Sequence, residues 1–234
     1  MGKRLLLNMS LKPQRPHSID ELFARASALA GQRFADLAAA AQLPIPNDLR
    51  RDKGWVGMLS EHYLGATAGS KPTQDFPELG IELKTLPVDA NGKPLETTFV
   101  CVAPLTDLAG VNWQTSNVRN KLQCVLWLPI DGRREIPLAD RVVGSAFIWQ
   151  PNAAQESMLQ RDWEEHMDRI ALGEVEHITA RQGVALQIRP KAADGSALTD
   201  AIGPDGGIIQ VRPRGFYLKT SFTEQIIRQV FHAV

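Results

Sequence analysis

Only two cysteines occur in the 234 residues, Cys101 and Cys124, and each sits in an apolar, strand-like run. That scarcity excludes a disulfide scaffold and reads instead as two thiols used for packing. Net charge is also missing. Lys plus Arg is 26 and Asp plus Glu is 26, so a globally basic nucleic-acid binder is excluded, and any DNA-binding surface must come from local segregation of charge. Long apolar runs are absent too. Met1 to Leu7 is too short for a signal peptide, and no stretch approaches a membrane span. The five histidines (His17, His62, His166, His177 and His232) lack the paired spacing of a zinc site. No repeat or low-complexity segment is present. With 44% hydrophobic and 22% charged residues, the expectation is a cytoplasmic, soluble globular protein of one domain or two lobes, with no membrane association.

Local patterns predict an α/β chain. Met1–His17 is basic, holds two prolines and reads as a loose tail. Ser18-Ile-Asp-Glu21 is a capping box opening an amphipathic helix to Leu29, with Gly31 as its stop. A short Ala-rich helix over Asp36–Leu43 ends at Pro44 and Pro46. A third helix is expected from about Lys53 to Leu64, with Trp55, Met58, Leu59 and Tyr63 on one face. Glu61 lies at the margin of that face, about 60° round from Met58. Strands are expected at Ile81–Leu86, Thr97–Ala103, Gln123–Pro129 and Val143–Trp149, with Asn91-Gly92 as a turn between the first two. A long helix over Gln155–Leu172 precedes short strands at Val184–Ile188, Ile208–Val211 and Phe216–Leu218. A helix over Phe222–His232 closes the chain. Strands set among helices argue a mixed sheet covered on both faces.

The chemistry is concentrated in Gln74-Asp-Phe-Pro-Glu-Leu-Gly-Ile-Glu-Leu-Lys84. Ile81 to Thr85 alternates apolar and polar, so Glu82 and Lys84 share one face of a strand, about 6.6 Å apart, and that face is expected to be exposed. Pro77 and Gly80 allow the chain to fold back and bring Asp75 to the same point. Two carboxylates hold a divalent ion and a lysine orients water or neutralises charge in metal-assisted phosphodiester hydrolysis. On the order of one match to so loose a pattern arises by chance in a chain this long. By itself the triplet also reads as a surface Glu/Lys pair, and its surroundings decide.

Those surroundings resemble the MutH family, the strand-discriminating endonuclease of methyl-directed mismatch repair. The similar stretches are Lys53-Gly-Trp, Leu64-Gly-Ala-Thr-Ala-Gly-Ser-Lys-Pro72, Asp75 to Thr85 and Pro94-Leu-Glu-Thr-Thr-Phe-Val-Cys-Val-Ala-Pro-Leu105. Further on come Leu126-Trp-Leu-Pro129, Arg181 with Leu186-Gln-Ile-Arg-Pro-Lys-Ala192, and Pro213-Arg-Gly-Phe-Tyr-Leu-Lys219. The resemblance implies a restriction-endonuclease-like fold, a central mixed β-sheet flanked by helices and split into two arms around a DNA-binding cleft. The catalytic arm would span about residues 18–115 and the recognition arm about 116–234. It implies a Mg2+-dependent endonuclease that nicks the unmethylated strand of hemimethylated GATC, 5′ to the guanine. The enzyme would act as a monomer, activated by MutL after mismatch detection by MutS. A restriction-type enzyme cutting both strands of GATC is the alternative.

Residue by residue, the resemblance assigns Asp75 and Glu82 as metal ligands, Glu61 as a metal-site or water-mediated acid, and Lys84 as the group that positions the nucleophile. Lys121 matches a lysine used in catalysis or phosphate contact. Lys53 with Gly54 matches a loop reaching the DNA site, and Arg189-Pro190-Lys191 a major-groove reading loop. Phe99 matches an aromatic near the active site. Tyr217 matches the sensor of adenine methylation; a ring can accept a methyl that a tight polar contact would not.

Overall fold

The computed structural model describes residues 13–49, 52, 54–69, 72–191 and 196–231. Most of the tail, Met1 to Lys12, and Lys53 lie outside the described residues. Two compact units are interleaved along the chain, residues 1–93 with 126–148 and residues 94–125 with 149–234. The architecture is mixed α/β, with small sheets flanked by helices. Among the described residues no helix is long and apolar enough to cross a membrane. Neither cysteine forms a disulfide and both are buried, as packing groups should be.

In the first unit, α1 (Ile19–Ala28) begins where the Ser18 hydroxyl accepts from the Glu21 N–H. The Glu21 carboxylate reaches back one residue further than a capping box requires and accepts from the His17 N–H at 2.8 Å. Helix α2 (Phe34–Ala40) starts earlier than its alanines suggest because Phe34 is a core residue. Helix α3 (Trp55–Leu64) is tied to α2 and the loop after it: Tyr63 Oη donates to Leu37 O at 2.6 Å, and Trp55 Nε1 donates to Pro44 O at 2.9 Å. Met58 is 45% exposed and does not belong to the buried face, which Trp55, Val56, Leu59, Ser60 and Tyr63 supply. Gly65 ends α3 at φ +76, and a Cβ there would lie 2.6 Å from Gln14 O, so both backbone and space demand glycine. Strands β1 (Glu82–Val88), β3 (Val125–Asp131) and β4 (Phe147–Trp149) form a three-stranded sheet in the order β1-β3-β4. All seven residues of β3 are buried, as the middle strand of a covered sheet should be. The predicted strand start at Val143 is only an isolated bridge to Ile130.

In the second unit, β2 (Thr98–Val102), β8 (Arg214–Leu218) and β5 (Leu186–Pro190) form an antiparallel sheet with β8 in the middle. A hairpin of β6 (Thr199–Ile202) and β7 (Ile208–Val211) turns at Gly203-Pro-Asp-Gly-Gly207. The sheet's inner face carries Leu186, Ile188, Phe216 and Leu218, all buried. Helix α5 (Ala153–Ala171) packs against β5 and β6, burying Leu159, Trp163, His166, Met167 and Ile170 at helical spacing. Helix α4 (Asn117–Leu122), unforeseen in the sequence, is capped by Ser116 and packs against β2. Helix α6 (Thr220–Phe231) follows β8 directly.

One carboxylate organises this unit. Asp162 on α5 is 2% exposed, and its Oδ2 accepts from the N–H groups of Val184, Ala185 and Leu186 at 2.8, 2.6 and 2.9 Å. The ladder with β8 therefore starts at Leu186 rather than Val184. Gly183, at φ +76, must be glycine, since a Cβ would meet Leu186 O at 1.9 Å. Asp162→Ala strands these donors and should cost about 3–4 kcal/mol of unfolding free energy in urea titrations. Asp162→Asn keeps an acceptor oxygen and should lose less.

Candidate functional site

Phe76 and Ile81 exchange backbone hydrogen bonds across a four-residue loop, with Phe76 N–H to Ile81 O at 2.9 Å and Ile81 N–H to Phe76 O at 3.2 Å. Pro77 and Gly80, the latter at φ +67, make the reversal, as the sequence suggests. The fold-back lays Asp75 against β1, where its Oδ2 accepts from the Leu83 N–H at 2.9 Å. The Asp75 carbonyl accepts from the Thr67 N–H at 3.1 Å, tying this segment to the exit of α3. Asp75 is thus held at both its backbone and its side chain.

Glu82 follows on the strand, and Lys84 Nζ donates to its Oε1 at 2.7 Å. The expectation of an exposed face is corrected here. Glu82 is 2% exposed and the Lys84 side chain 11%, because β1 is covered where it begins and packs against α3. A buried carboxylate is tolerable only with a partner, and Lys84 provides one from two residues away. The attraction inside is less screened than between surface charges, and the desolvation of both groups offsets it, so the pair fixes geometry more than it adds stability.

Glu61 lies on α3, half-buried. Among the described residues no group of three or more His, Cys, Asp or Glu side chains gathers as a metal cage, so Glu61 does not complete a preformed three-carboxylate set. The donor chemistry of Asp75 and Glu82 nonetheless fits a small hard cation. Magnesium is commonly held by one or two carboxylates with water and substrate phosphate supplying the rest. A carboxylate offers about four acceptor sites, so the bond to Leu83 or Lys84 and a metal ion are compatible on the same group.

The second unit collects a different set of residues. The register aligns Phe99, Tyr217 and Gln187 in one row across β2, β8 and β5. The Phe99 and Tyr217 rings meet edge to face at 5.3 Å. Arg189 places its guanidinium 5.9 Å from the Tyr217 centroid, and Lys191 Nζ lies 4.4 Å over the Phe99 ring. Gly215, opposite Arg189, leaves room for these side chains, since a Cβ would sit 2.9 Å from Phe99 Cε2 and 3.3 Å from Lys191 Cβ. Burial pushes the Tyr217 hydroxyl pKa up, with the Arg189 charge opposing in part, so the ring stays a neutral phenol. Two aromatics and two cations therefore share the outer face of a sheet whose other face is core. Pro190 is exposed between the two cations, and Lys121 lies on α4. Gly54 precedes α3 in the first unit and is exposed.

Sequence reasoning missed Thr97, Gln187 and Gly215 as members of this face. Gly215 and Gln187 stood within recognisable segments, but only the cross-strand register shows what they oppose. Thr97 stood at the start of an expected strand, but nothing local marks its partner; its hydroxyl accepts from Arg189 Nη1 at 2.9 Å across 92 residues of chain.

Comparison with known proteins bears on both sets. A family model described as DNA mismatch repair enzyme MutH matches residues 64–162, which include Asp75, Glu82, Lys84 and Lys121. The DNA mismatch repair protein MutH of Serratia proteamaculans (strain 568) is 62% identical over 223 residues, covering 95% of this chain and 98% of that protein. The protein of the same name from Yersinia pestis (strain Pestoides F) is 59% identical over 222 residues, 95% and 97% of the two chains. That of Photorhabdus laumondii is 58% identical over 219 residues, 94% and 96%.

The double role of Asp75 can be separated by substitution. Asp75→Asn keeps an oxygen for the Leu83 N–H, whereas Asp75→Ala removes it. In urea unfolding without metal, the alanine variant should be the less stable of the two by about 1–2 kcal/mol. Equal stabilities would mean that the hydrogen bond does not hold the loop.

Proposed function

The chain belongs to the MutH family of DNA mismatch repair enzymes, endonucleases of restriction-endonuclease-like fold, and we propose that it nicks the unmethylated strand of hemimethylated GATC sites, 5′ to the guanine, in a Mg2+-dependent reaction switched on by MutL. The observation that carries the chemical part is the Asp75 carboxylate held on the Leu83 N–H beside the buried Glu82–Lys84 pair. Asp75 and Glu82 would hold the ion, with Glu61 acting on it directly or through water. A bound magnesium ion supplies charge to polarise the scissile phosphate and to acidify water.

The chain's own residues do the rest. An ammonium has three N–H donors, more than the bond to Glu82 uses, so Lys84 is suited to orient the attacking water or to neutralise charge that builds on the phosphate. Glu82 in turn fixes where that ammonium sits, because the two are two residues apart on one strand. Lys121 would contact the DNA backbone. Lys53, which lies outside the described residues, and Gly54 would reach the site from the start of α3.

On the second unit, Arg189 and Lys191 would read base edges with Pro190 shaping their approach, since cationic forks match the guanine O6/N7 edge. Phe99 and Tyr217 would form the apolar wall against which an adenine N6-methyl is sensed. The mismatch repair role further implies a cytoplasmic protein acting as a monomer, with MutS engaged only through MutL.

Nicking of a supercoiled plasmid and of hemimethylated GATC duplexes in Mg2+ tests the chemical reading. Asp75→Asn and Glu82→Gln should lose nicking by at least about a hundredfold while still binding the duplex, because phosphates and base edges dominate affinity. Near-normal rates in either variant would remove the metal assignment, and linear rather than nicked product would favour the double-strand cutter.

Tyr217→Ser should shift the ratio of nicking on hemimethylated against unmethylated GATC several-fold to about tenfold, since one aromatic–methyl contact is worth about 1 kcal/mol. The Mg2+ requirement should stay unchanged. An unaltered methylation ratio would end the role of Tyr217 as sensor.

A further inference from the structure

We propose that Thr97 is a positioning residue for Arg189 and thereby a determinant of sequence discrimination; this rests on Arg189 being a base-reading residue. Arg189 stands on β5 opposite Gly215 of β8, yet its guanidinium donates from Nη1 to the hydroxyl of Thr97, just before β2, at 2.9 Å. To reach it the side chain crosses β8 diagonally, passing the Tyr217 ring with Cζ 5.9 Å from the centroid. The exposed guanidinium is thus held at two points, one a hydrogen bond and the other a ring.

An unrestrained arginine has many rotamers, and a planar fork reads a base edge only in a narrow range of orientations. A hydrogen bond to one terminal nitrogen pins one end of the rigid guanidinium, and the Tyr217 ring beside it restricts how the plane turns about that point. Thr97 itself is half-buried and anchored at the mouth of a strand, so it makes a fixed post rather than a second mobile group. Preorganisation of this kind strengthens the cognate complex by reducing what must be ordered on binding. It acts on discrimination more than on non-specific affinity, since phosphate contacts tolerate a wandering charge and base contacts do not.

The test is competition binding of the full chain to a GATC duplex and to duplexes altered by one base pair, at fixed salt and without catalytic turnover. Thr97→Val, which keeps shape and removes the acceptor, should reduce the ratio of affinities about threefold to tenfold. Thr97→Ser, which restores a hydroxyl, should keep the ratio near that of the parent. Thr97→Val added to Arg189→Ala should change nothing further, and the thermal midpoint of each Thr97 variant should stay close to the parent's. If Arg189→Ala lowers the ratio while Thr97→Val leaves it unchanged or raises it, the positioning role is overturned and the base-reading role of Arg189 survives. If Arg189→Ala itself leaves the ratio unchanged, both fall together. A drop in the Thr97→Ser ratio as large as that of Thr97→Val would also overturn the proposal, because the hydroxyl would then not be what matters.

Discussion

The hydrogen bond from the Leu83 N–H to the Asp75 carboxylate is the contact on which the candidate active site depends. Asp75 comes from a loop and Glu82 from a strand, and the Leu83 N–H ties the loop's carboxylate to the strand. The Phe76–Ile81 bridge brings the backbone round, but a backbone bridge does not aim a side chain. The N–H of Leu83 does, and it belongs to the residue between Glu82 and Lys84. One donor therefore places the first carboxylate in register with the second and with the cation. A charged acceptor makes this bond stronger than a neutral one of the same length, so the chemistry-bearing charge also supplies the constraint.

The second unit uses the same device for a different end. Asp162 takes three consecutive N–H groups where β5 begins, and so decides which residue opens the ladder with β8. Side chains alternate along a strand, and a shift of one residue would turn Arg189 inward and Ile188 outward. The outer face with its cations and aromatics thus follows from a buried carboxylate on the far side of the sheet. In both units an aspartate oxygen bound to strand N–H groups sets what the neighbouring residues present.

How much of this is legible in the sequence follows from the range of each interaction. The strand at Glu82, the reversal at Pro77 and Gly80, the helix after Ser18 and the long helix expected from Gln155 rest on neighbours within a few residues, and local patterns carry them. The Glu82–Lys84 face is buried although charge ordinarily signals solvent. An oppositely charged pair on one strand can satisfy itself and go inside. Met58 is the opposite case, an apolar residue at helical spacing left in water at the edge of a buried face. Helix α4 is six residues with only Val118 and Leu122 buried, too short for a period to declare itself. β6 reads Thr-Asp-Ala-Ile, with no alternation to mark it, and exists by pairing with β7. The interleaving of the two compact units is a property of contacts far apart in sequence, to which no local pattern speaks.

The last determinant of the recognition face is a single extra residue. Phe99 and Cys101 are two apart, so in a regular strand both would point the same way. Their partners on β8 are Tyr217 and Phe216, which are adjacent and point to opposite faces. The register shifts between Phe99 and Cys101, a β-bulge that leaves Val100 as the additional residue. Its effect is to send Cys101 into the core beside Phe216 while Phe99 stays on the outer face against Tyr217. Without it, keeping Cys101 buried would bury Phe99 as well, and Lys191 would lose the ring over which its ammonium rests. Thr97, two residues before Phe99, would turn with it and take its hydroxyl away from Arg189. The bulge at Val100 thus lets one strand serve the core with a thiol while lending its preceding residues, an aromatic and a hydroxyl, to the surface.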